Sequence, residues 1–328
     1  MSIKPVVQFL TTVLLLTACG TEKFQNKGEV AAVDPLVQSH IIDGQVITDP
    51  TTKASRSVVA VELLDSNRQI ITYCTGVLIG KNTVLTAAHC LSGPTVPGVE
   101  NFNIVFATQT KSKGMPIRRL GYAFNVHPQY NTETKGWVLE NGKYLDIELH
   151  PQLKKNTDIQ YFPQNDHDLA VLVFKGLLPN GFAPVAIDAD STADYSGKLI
   201  YVYGFGRAVD YLDPKGKFDT SAGQLRKGVI TVDTNFHKYS DRYFTSKTSK
   251  NSLCQGDSGG PQFLHEDGVL KVIGINSAVA ADEDSVRIDE SIIKGNYISC
   301  RGRAQVAKVA AAAAWIKNTE KQILQELK

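Results

Sequence analysis

Eight short runs of β-branched and aromatic residues recur between turn residues along this chain, and they limit its fold more than any other feature. They are Ser57 to Leu64, Gln69 to Ile79, Thr83 to Ala87, Phe102 to Ala107, Ala170 to Phe174, Leu199 to Tyr203, Gly228 to Val232 and Val269 to Ile275. Few helical stretches separate them, so the chain reads as all-β, built as a sandwich or barrel. Its 328 residues, 42% of them apolar, suffice for one large or two ordinary globular domains. Two polar stretches break the rhythm: Asn131 to Gln164 reads as a long loop, and Ala280 to Ile298 as a charged surface insertion. Their acidic clusters lack the ligand spacing of a calcium loop and read as solvated. From Val306 to Leu327 the apolar residues Val306, Val309, Ala313, Ile316, Ile323 and Leu327 fall at helical steps, predicting an amphipathic helix packed on the β core. A membrane-surface helix is the weaker reading, because the apolar face is rich in alanine.

The N-terminus carries an export signal. Lys4 precedes an apolar run from Val6 to Leu16, too short to span a bilayer, and Thr17-Ala18-Cys19 supplies small residues for cleavage. Leu16-Thr17-Ala18-Cys19 also resembles a bacterial lipobox, so residues 1–18 are expected to be a signal peptide and Cys19 a lipidation site. The polar segment from Cys19 to His40 reads as a linker or pro-segment. With Cys19 set aside, Cys74, Cys90, Cys254 and Cys300 remain, and four cysteines allow three pairings. Export favours pairing, and no CxxC spacing suggests zinc. The 35 basic against 33 acidic residues leave a charge of +2, which calls for no nucleic acid. Gly204-Phe205-Gly206 follows a strand with no helix after it, so a dinucleotide site is excluded, and no metal or organic cofactor is expected.

Three segments carry chemistry. Gly256-Asp257-Ser258-Gly259-Gly260-Pro261 sets a serine in a glycine-rich turn, where the Gly256 and Ser258 amides can aim at one oxygen. Thr86-Ala87-Ala88-His89-Cys90 ends a strand with a histidine, and Asp166-His167-Asp168-Leu169-Ala170 puts a carboxylate at the start of an apolar one. Each alone has a plain reading: a surface turn, a structural histidine, an ordinary strand start.

Together, and in the order His, Asp, Ser, they resemble the chymotrypsin/trypsin family of serine proteases. Tyr73-Cys74-Thr75-Gly76-Val77-Leu78-Ile79 and Tyr203-Gly204-Phe205-Gly206-Arg207 are weaker matches, and the likeness spans roughly Ile41 to Lys328. The gap from His89 to Asp168 is longer than the family's usual one, and the polar stretch accounts for the excess.

The resemblance implies two six-stranded antiparallel β-barrels, roughly 41–183 and 184–328, with a C-terminal helix. It implies Ser258 as nucleophile, His89 as base, Asp168 as its orienting group, Gly256 and Ser258 as oxyanion donors, and bridges Cys74–Cys90 and Cys254–Cys300. Ile41-Ile42-Asp43-Gly44 resembles the family's mature N-terminus, whose ammonium pairs with the carboxylate before the nucleophile, here Asp257. That implies a zymogen cut between His40 and Ile41, although the family generally has a basic residue where this chain has His40. Ser252, six before the nucleophile, falls at the base of the primary pocket and brings no carboxylate for a cationic substrate. Ser277 falls where substrate backbone is bound, Val279 where it narrows the pocket, and Ala304 near the opposite wall. The expectation is a secreted or lipid-anchored monomeric serine endopeptidase. It would act on proteins or peptides with small or medium apolar residues before the scissile bond, and its activating protease is unidentified. The alternative is a non-catalytic binding protein on the same fold.

Overall fold

The computed structural model of the chain describes residues 41–92, 98–110, 116–140, 143–146, 160–208, 222–233, 241–246, 248–280, 300 and 303–327, with the backbone alone at 131–140, 143–146, 160–166 and 280. The expected signal peptide, Cys19, the segment to His40 and nearly all of the stretch after Ala280 lie outside the described residues.

After a two-residue strand β1 (Gln45–Val46), the chain lays down β2 (Val58–Leu64), β3 (Ile70–Leu78), β4 (Thr83–Thr86), β5 (Asn101–Phe106) and β6 (Ile117–Val126). The stretch expected to be a loop instead forms β7 (Asn131–Glu140), β8 (Lys143–Asp146) and β9 (Gln160–Asp166), a separate three-stranded antiparallel sheet in the order β8-β7-β9. Its register opposes Trp137 to Phe162 and Val138 to Tyr161. These are strong strand formers whose signal is diluted in sequence by polar neighbours. β10 (Ala170–Phe174) then closes a six-stranded barrel in the order β10-β4-β3-β2-β5-β6.

Both faces of β2 and β10 are buried, which explains the unbroken apolar run of β10 and the run of β2, broken only by Glu62. Closure removes the edges that isolated strands expose. Phe174 packs edge-on against Phe106 at 5.5 Å inside this barrel. The buried Glu62 is matched there by Arg118 at 2.8 Å and by Asn103 at 3.0 Å.

The second half comprises β11 (Ala186–Ile187), β12 (Leu199–Gly204), β13 (Arg226–Thr231), β14 (Arg242–Phe244), β15 (Pro261–Glu266), β16 (Val269–Ala280) and β17 (Arg303–Lys308). They form an eight-stranded sheet in the order β1-β13-β12-β15-β16-β17-β14, with β11 alongside β16. The fold is the all-β, trypsin-like one expected, although among the described residues no continuous ladder closes this second sheet. β1 occupies Arg226 and Lys227 at the start of β13, which leaves only the far end of that strand to meet β14. The two edges join there at one bridge, Val232 to Thr245, flanked by Asp233 N–H to Phe244 O at 2.8 Å and Ser246 N–H to Thr231 O at 2.7 Å.

The single long helix among the described residues, α1 (Ala313–Glu326), buries Ala313, Ile316, Thr319 and Ile323 on one face. It starts later than the apolar spacing suggested. Val306 belongs to β17, opposite Tyr243 and Asn276, because apolar residues there alternate before the alanine run begins. The helix returns to the first barrel, where Trp315 meets His127 edge-on at 4.6 Å and the Tyr122 hydroxyl donates to Glu326 O at 2.9 Å. No helix among the described residues is long and apolar enough to cross a membrane. One apolar cluster runs without a break from Val58, Leu85 and Leu172 through Phe205, Phe263 and Ile275 to Val309 and Ile316. It joins barrel, sheet and helix into one core and fixes the cleft between the two halves.

Truncating Phe174 to alanine should cost about 3–5 kcal/mol of stability, because it removes a buried ring from that core. The shift of the urea midpoint with the disulfides intact measures it.

Candidate active site

His89 sits in a short 3₁₀ turn, Ala88–Cys90, directly after β4. Asp168 lies just before β10, and Ala170 pairs with Thr86 across these two strands, so their register brings both groups to the same end of the barrel. The Asp168 carboxylate is fully buried. Its Oδ1 accepts from the His89 backbone N–H at 2.8 Å, and its Oδ2 lies 2.7 Å from His89 Nδ1. The Ser277 hydroxyl donates to the same Oδ2 at 2.5 Å. Ser277 comes from the second half, where a register shift between Asn276 and Ala278 interrupts the β16–β17 ladder.

Sequence reasoning assigned Ser277 to substrate backbone; its side chain is committed to Asp168. A hydroxyl at that position carries no sequence signal for a partner 109 residues away. Burial pushes the Asp168 carboxyl up, but the His89 charge, its hydrogen bond and the Ser277 hydroxyl outweigh this and hold it below the usual carboxylate range. Burial pushes His89 down, and the Asp168 charge and hydrogen bond reverse that, raising the imidazole above its ordinary value.

Ser258 reaches the same place from the other half. Gly256 and Gly259 adopt φ of 96° and 79°, left-handed values that let the turn double back. First-barrel strand β3 holds the turn through Thr75, whose N–H donates to Ser258 O and whose hydroxyl donates to Gly256 O, both at 2.8 Å. Gly259 packs against Thr86 and Ala87, just ahead of His89. The backbone N–H groups of Gly256 and Ser258 donate to no protein acceptor among the described residues. No hydrogen bond joins Ser258 Oγ to His89 Nε2; such contacts are often long before substrate binds.

Asp257 is buried under this turn. Its Oδ1 accepts from Gly206 N–H at 2.8 Å and its Oδ2 from Cys254 N–H at 2.9 Å. Burial pushes its pKa up to about 6, against the pull of the Cys254 and Gly206 amides and the Arg226 charge. Ile41 is 1% exposed among Tyr195, Ile200, Val202 and Ile230, while Ile42 packs on Cys254 and Cys300 and bridges to Ser252. No hydrogen bond links Ile41 to Asp257.

Ser252 is thus placed beside Ile42, half-buried. Val279 and Ala304 are direct partners across β16 and β17, and Val279 packs on the apolar cluster that holds Ala304, whereas the sequence suggested opposite walls. The disulfides are Cys74–Cys90 and Cys254–Cys300. Cys74, His89 and Cys90 gather three donor atoms within 4.8 Å, but both sulfurs are spent in the first bridge, so this is no thiolate metal site. A cleft of about 180 Å³ beside Gly256 is lined by Tyr73, Phe205, Arg207, Ala222 and Gln255.

Residues 46–290 match the trypsin family, well over half of the chain. The chain belongs to the trypsin family. It is a serine-type peptidase at that level, and trypsin-family proteases act on protein substrates. It is 25% identical to "Coagulation factor IX" of Oryctolagus cuniculus over 244 residues, covering 70% of this chain and 72% of that protein. It is 22% identical to "Chymotrypsin-like elastase family member 1" of Macaca fascicularis, covering 75% of this chain and 78% of that one. The match to "Complement C1r subcomponent-like protein" of Rattus norvegicus, 24% identical over 60% of this chain, spans only 39% of that protein.

The electrostatics are testable directly. Asp168→Asn removes the charge that lifts His89 and leaves the burial that lowers it. The His89 pKa, followed by NMR titration, should therefore fall below the ordinary imidazole value of 6.5.

Proposed function

We propose that this trypsin-family chain is an exported serine endopeptidase in which Ser258 is the nucleophile, His89 the general base and Asp168 the group that orients it. The observation that carries this reading is the buried Asp168, which takes His89 on one side and Ser277 on the other while the Ser258 turn docks on the His89-bearing strands.

Asp168 accepts from His89 Nδ1, so Nε2 is left with its lone pair toward the cleft. Nε2 takes the proton of Ser258 as Oγ attacks the peptide carbonyl. The Gly256 and Ser258 amides receive the oxyanion, and His89 passes the proton to the leaving amine. Water, deprotonated by His89, then releases the acyl group and restores Ser258. No step needs a metal or organic cofactor. Substrate residues beyond the scissile bond fit the cleft beside Gly256.

Cys19 is proposed as a lipid anchor and the His40–Ile41 bond as the maturation cut. Ile41 supports the cut: its φ is 38°, a left-handed value that strains a β-branched residue. Cutting the bond abolishes that torsion and releases an ammonium at Ile41, next to Ile42, which packs on Cys254. The pocket, with Ser252 at its base and Val279 and Ala304 on its wall, suits small or medium apolar side chains.

Mass spectrometry of the exported protein after fluorophosphonate treatment tests the nucleophile. Label on wild type that is lost in Ser258→Ala, with peptidase activity down about 10⁴-fold or more, is the expected result. An Ile41-initiated species that takes no label would replace this reading with that of a binding protein. Activity should also fall away on the acid side as His89 protonates, at a pH above the ordinary imidazole range, because His89 is raised. For the pocket, Val279→Gly should improve kcat/KM for peptides with an aromatic residue before the scissile bond by about tenfold or more relative to alanine.

A further inference from the structure

His89 Nε2, the atom that the proposed mechanism uses, lies 4.0 Å from Cys90 Sγ. Cys74 belongs to the same group, since one donor atom each from Cys74, His89 and Cys90 lie within 4.8 Å of one another. They converge because β3 carries Cys74 and the 3₁₀ turn after β4 carries His89 and Cys90. While the two sulfurs are bonded to each other, they offer a metal ion no thiolate. Separated, they would offer two.

The spacing suits a single ion. With zinc bonds of about 2.3 Å to sulfur and about 2.0 Å to nitrogen, tetrahedral ligands lie roughly 3.6 Å apart for sulfur and nitrogen and roughly 3.8 Å apart for two sulfurs. The gap from Cys90 Sγ to His89 Nε2 is already close to that, and Cα atoms 6.4 Å apart leave the two thiols within reach of one ion. The imidazole is also held as metal-ligating histidines are: its Nδ1 sits on a buried carboxylate, Asp168 Oδ2 at 2.7 Å, which leaves Nε2 as the ligand atom and strengthens it as a donor. That carboxylate is fixed in turn by the His89 amide and the Ser277 hydroxyl. Both cysteines are buried, and the His89 side chain, 19% exposed, gives the way in from solvent. Two soft thiolates and one imidazole select zinc over calcium or magnesium and leave a fourth position for water.

We propose that reduction of the Cys74–Cys90 bridge converts this wall of the candidate active site into a zinc site, with the Cys74 and Cys90 thiolates and His89 Nε2 as its ligands. A dithiol reductant gives up two electrons and two protons, opening the bridge to two thiols and itself becoming a disulfide. Zinc then displaces both thiol protons to solvent and takes the Nε2 lone pair. With that lone pair on the metal, His89 cannot accept the Ser258 proton, so the zinc form is inactive until a chelator removes the ion. The inhibition, but not the metal site, rests on the reading of His89 as base and Ser258 as nucleophile.

The test uses cobalt(II) in place of zinc, because thiolate ligands give it an intense near-ultraviolet charge-transfer band that imidazole and carboxylate ligands do not. Full-length wild type is compared with two double variants. Cys254→Ser with Cys300→Ser keeps the pair in question, and Cys74→Ser with Cys90→Ser keeps only the other pair; Cys19 is common to all three. Each is reduced with a trialkylphosphine, which leaves as the phosphine oxide before cobalt is added without air. Only samples whose near-ultraviolet circular dichroism matches that of the oxidised chain are compared. The wild type carries the result by itself if either variant fails to fold.

Reduced wild type and Cys254→Ser/Cys300→Ser should bind about one equivalent of cobalt with the thiolate band, and zinc should bleach it. Oxidised wild type and Cys74→Ser/Cys90→Ser should show no band. Asp168→Asn should weaken the cobalt site about tenfold or more, which a merely structural bridge would not predict. Fluorophosphonate labelling of reduced wild type should fall at least about tenfold with zinc and return with chelator. The absence of a band in reduced wild type overturns the proposal, as does a band that survives Cys74→Ser/Cys90→Ser. A band accompanied by labelling that zinc leaves unchanged also overturns it, because Nε2 is then no ligand. If oxidised wild type takes no label, the peptidase reading falls, and the zinc site stands or falls on the band and its response to Asp168→Asn.

Discussion

The architecture of the site depends on one buried carboxylate. Asp168 is removed from water, and a charge in that position is tolerated only with several donors around it. Two of these come from His89 and lie in the same barrel; another, the Ser277 hydroxyl, comes from the opposite half of the molecule. The satisfaction of one charge therefore ties the halves together at the point where the chemistry is proposed to occur. The tie also selects the imidazole tautomer, because Nδ1 is committed to Asp168, while Nε2 lies 4.0 Å from Cys90 Sγ.

Around this point, rigid supports converge. The Cys74–Cys90 bridge clamps the residue next to His89, and Thr75, beside Cys74, holds the Ser258 turn by two hydrogen bonds. The stacked pair His127–His167 lies immediately before Asp168, and Trp315 of α1 rests on its edge. The apolar cluster shared by barrel, sheet and helix keeps these supports in register. Beneath the turn a second buried carboxylate, Asp257, repeats the principle with backbone amides and with the charge of Arg226. Both ends of the candidate site are thus set by how the interior handles negative charge.

The strands most legible in sequence were those with the longest apolar runs, such as β10 and, but for Glu62, β2, where both faces are buried. β6 escaped notice because Arg118 and Arg119 interrupt it. Arg118 belongs there only because Glu62 is buried beside it, and Gly121 leaves room for Phe102. β15 begins at a proline and β17 carries arginine, glutamine and lysine, so neither shows an apolar run, although pairing with β16 makes both strands. The helix was legible in period but not in extent, since Val306 serves equally well on either kind of element.

The all-β character, the terminal helix and the three segments bearing His89, Asp168 and Ser258 could be read from consecutive residues, because periodicity and local turn chemistry are written there. Tertiary structure decided what depends on residues far apart in the chain. It chose which cysteines pair, assigned the Ser277 hydroxyl to Asp168, and left the second half as a sheet whose edges meet at one bridge. Each of these outcomes turns on burial, which makes an unsatisfied charge or donor costly and so selects the partner. Burial is a property of the packed chain and not of any segment of it.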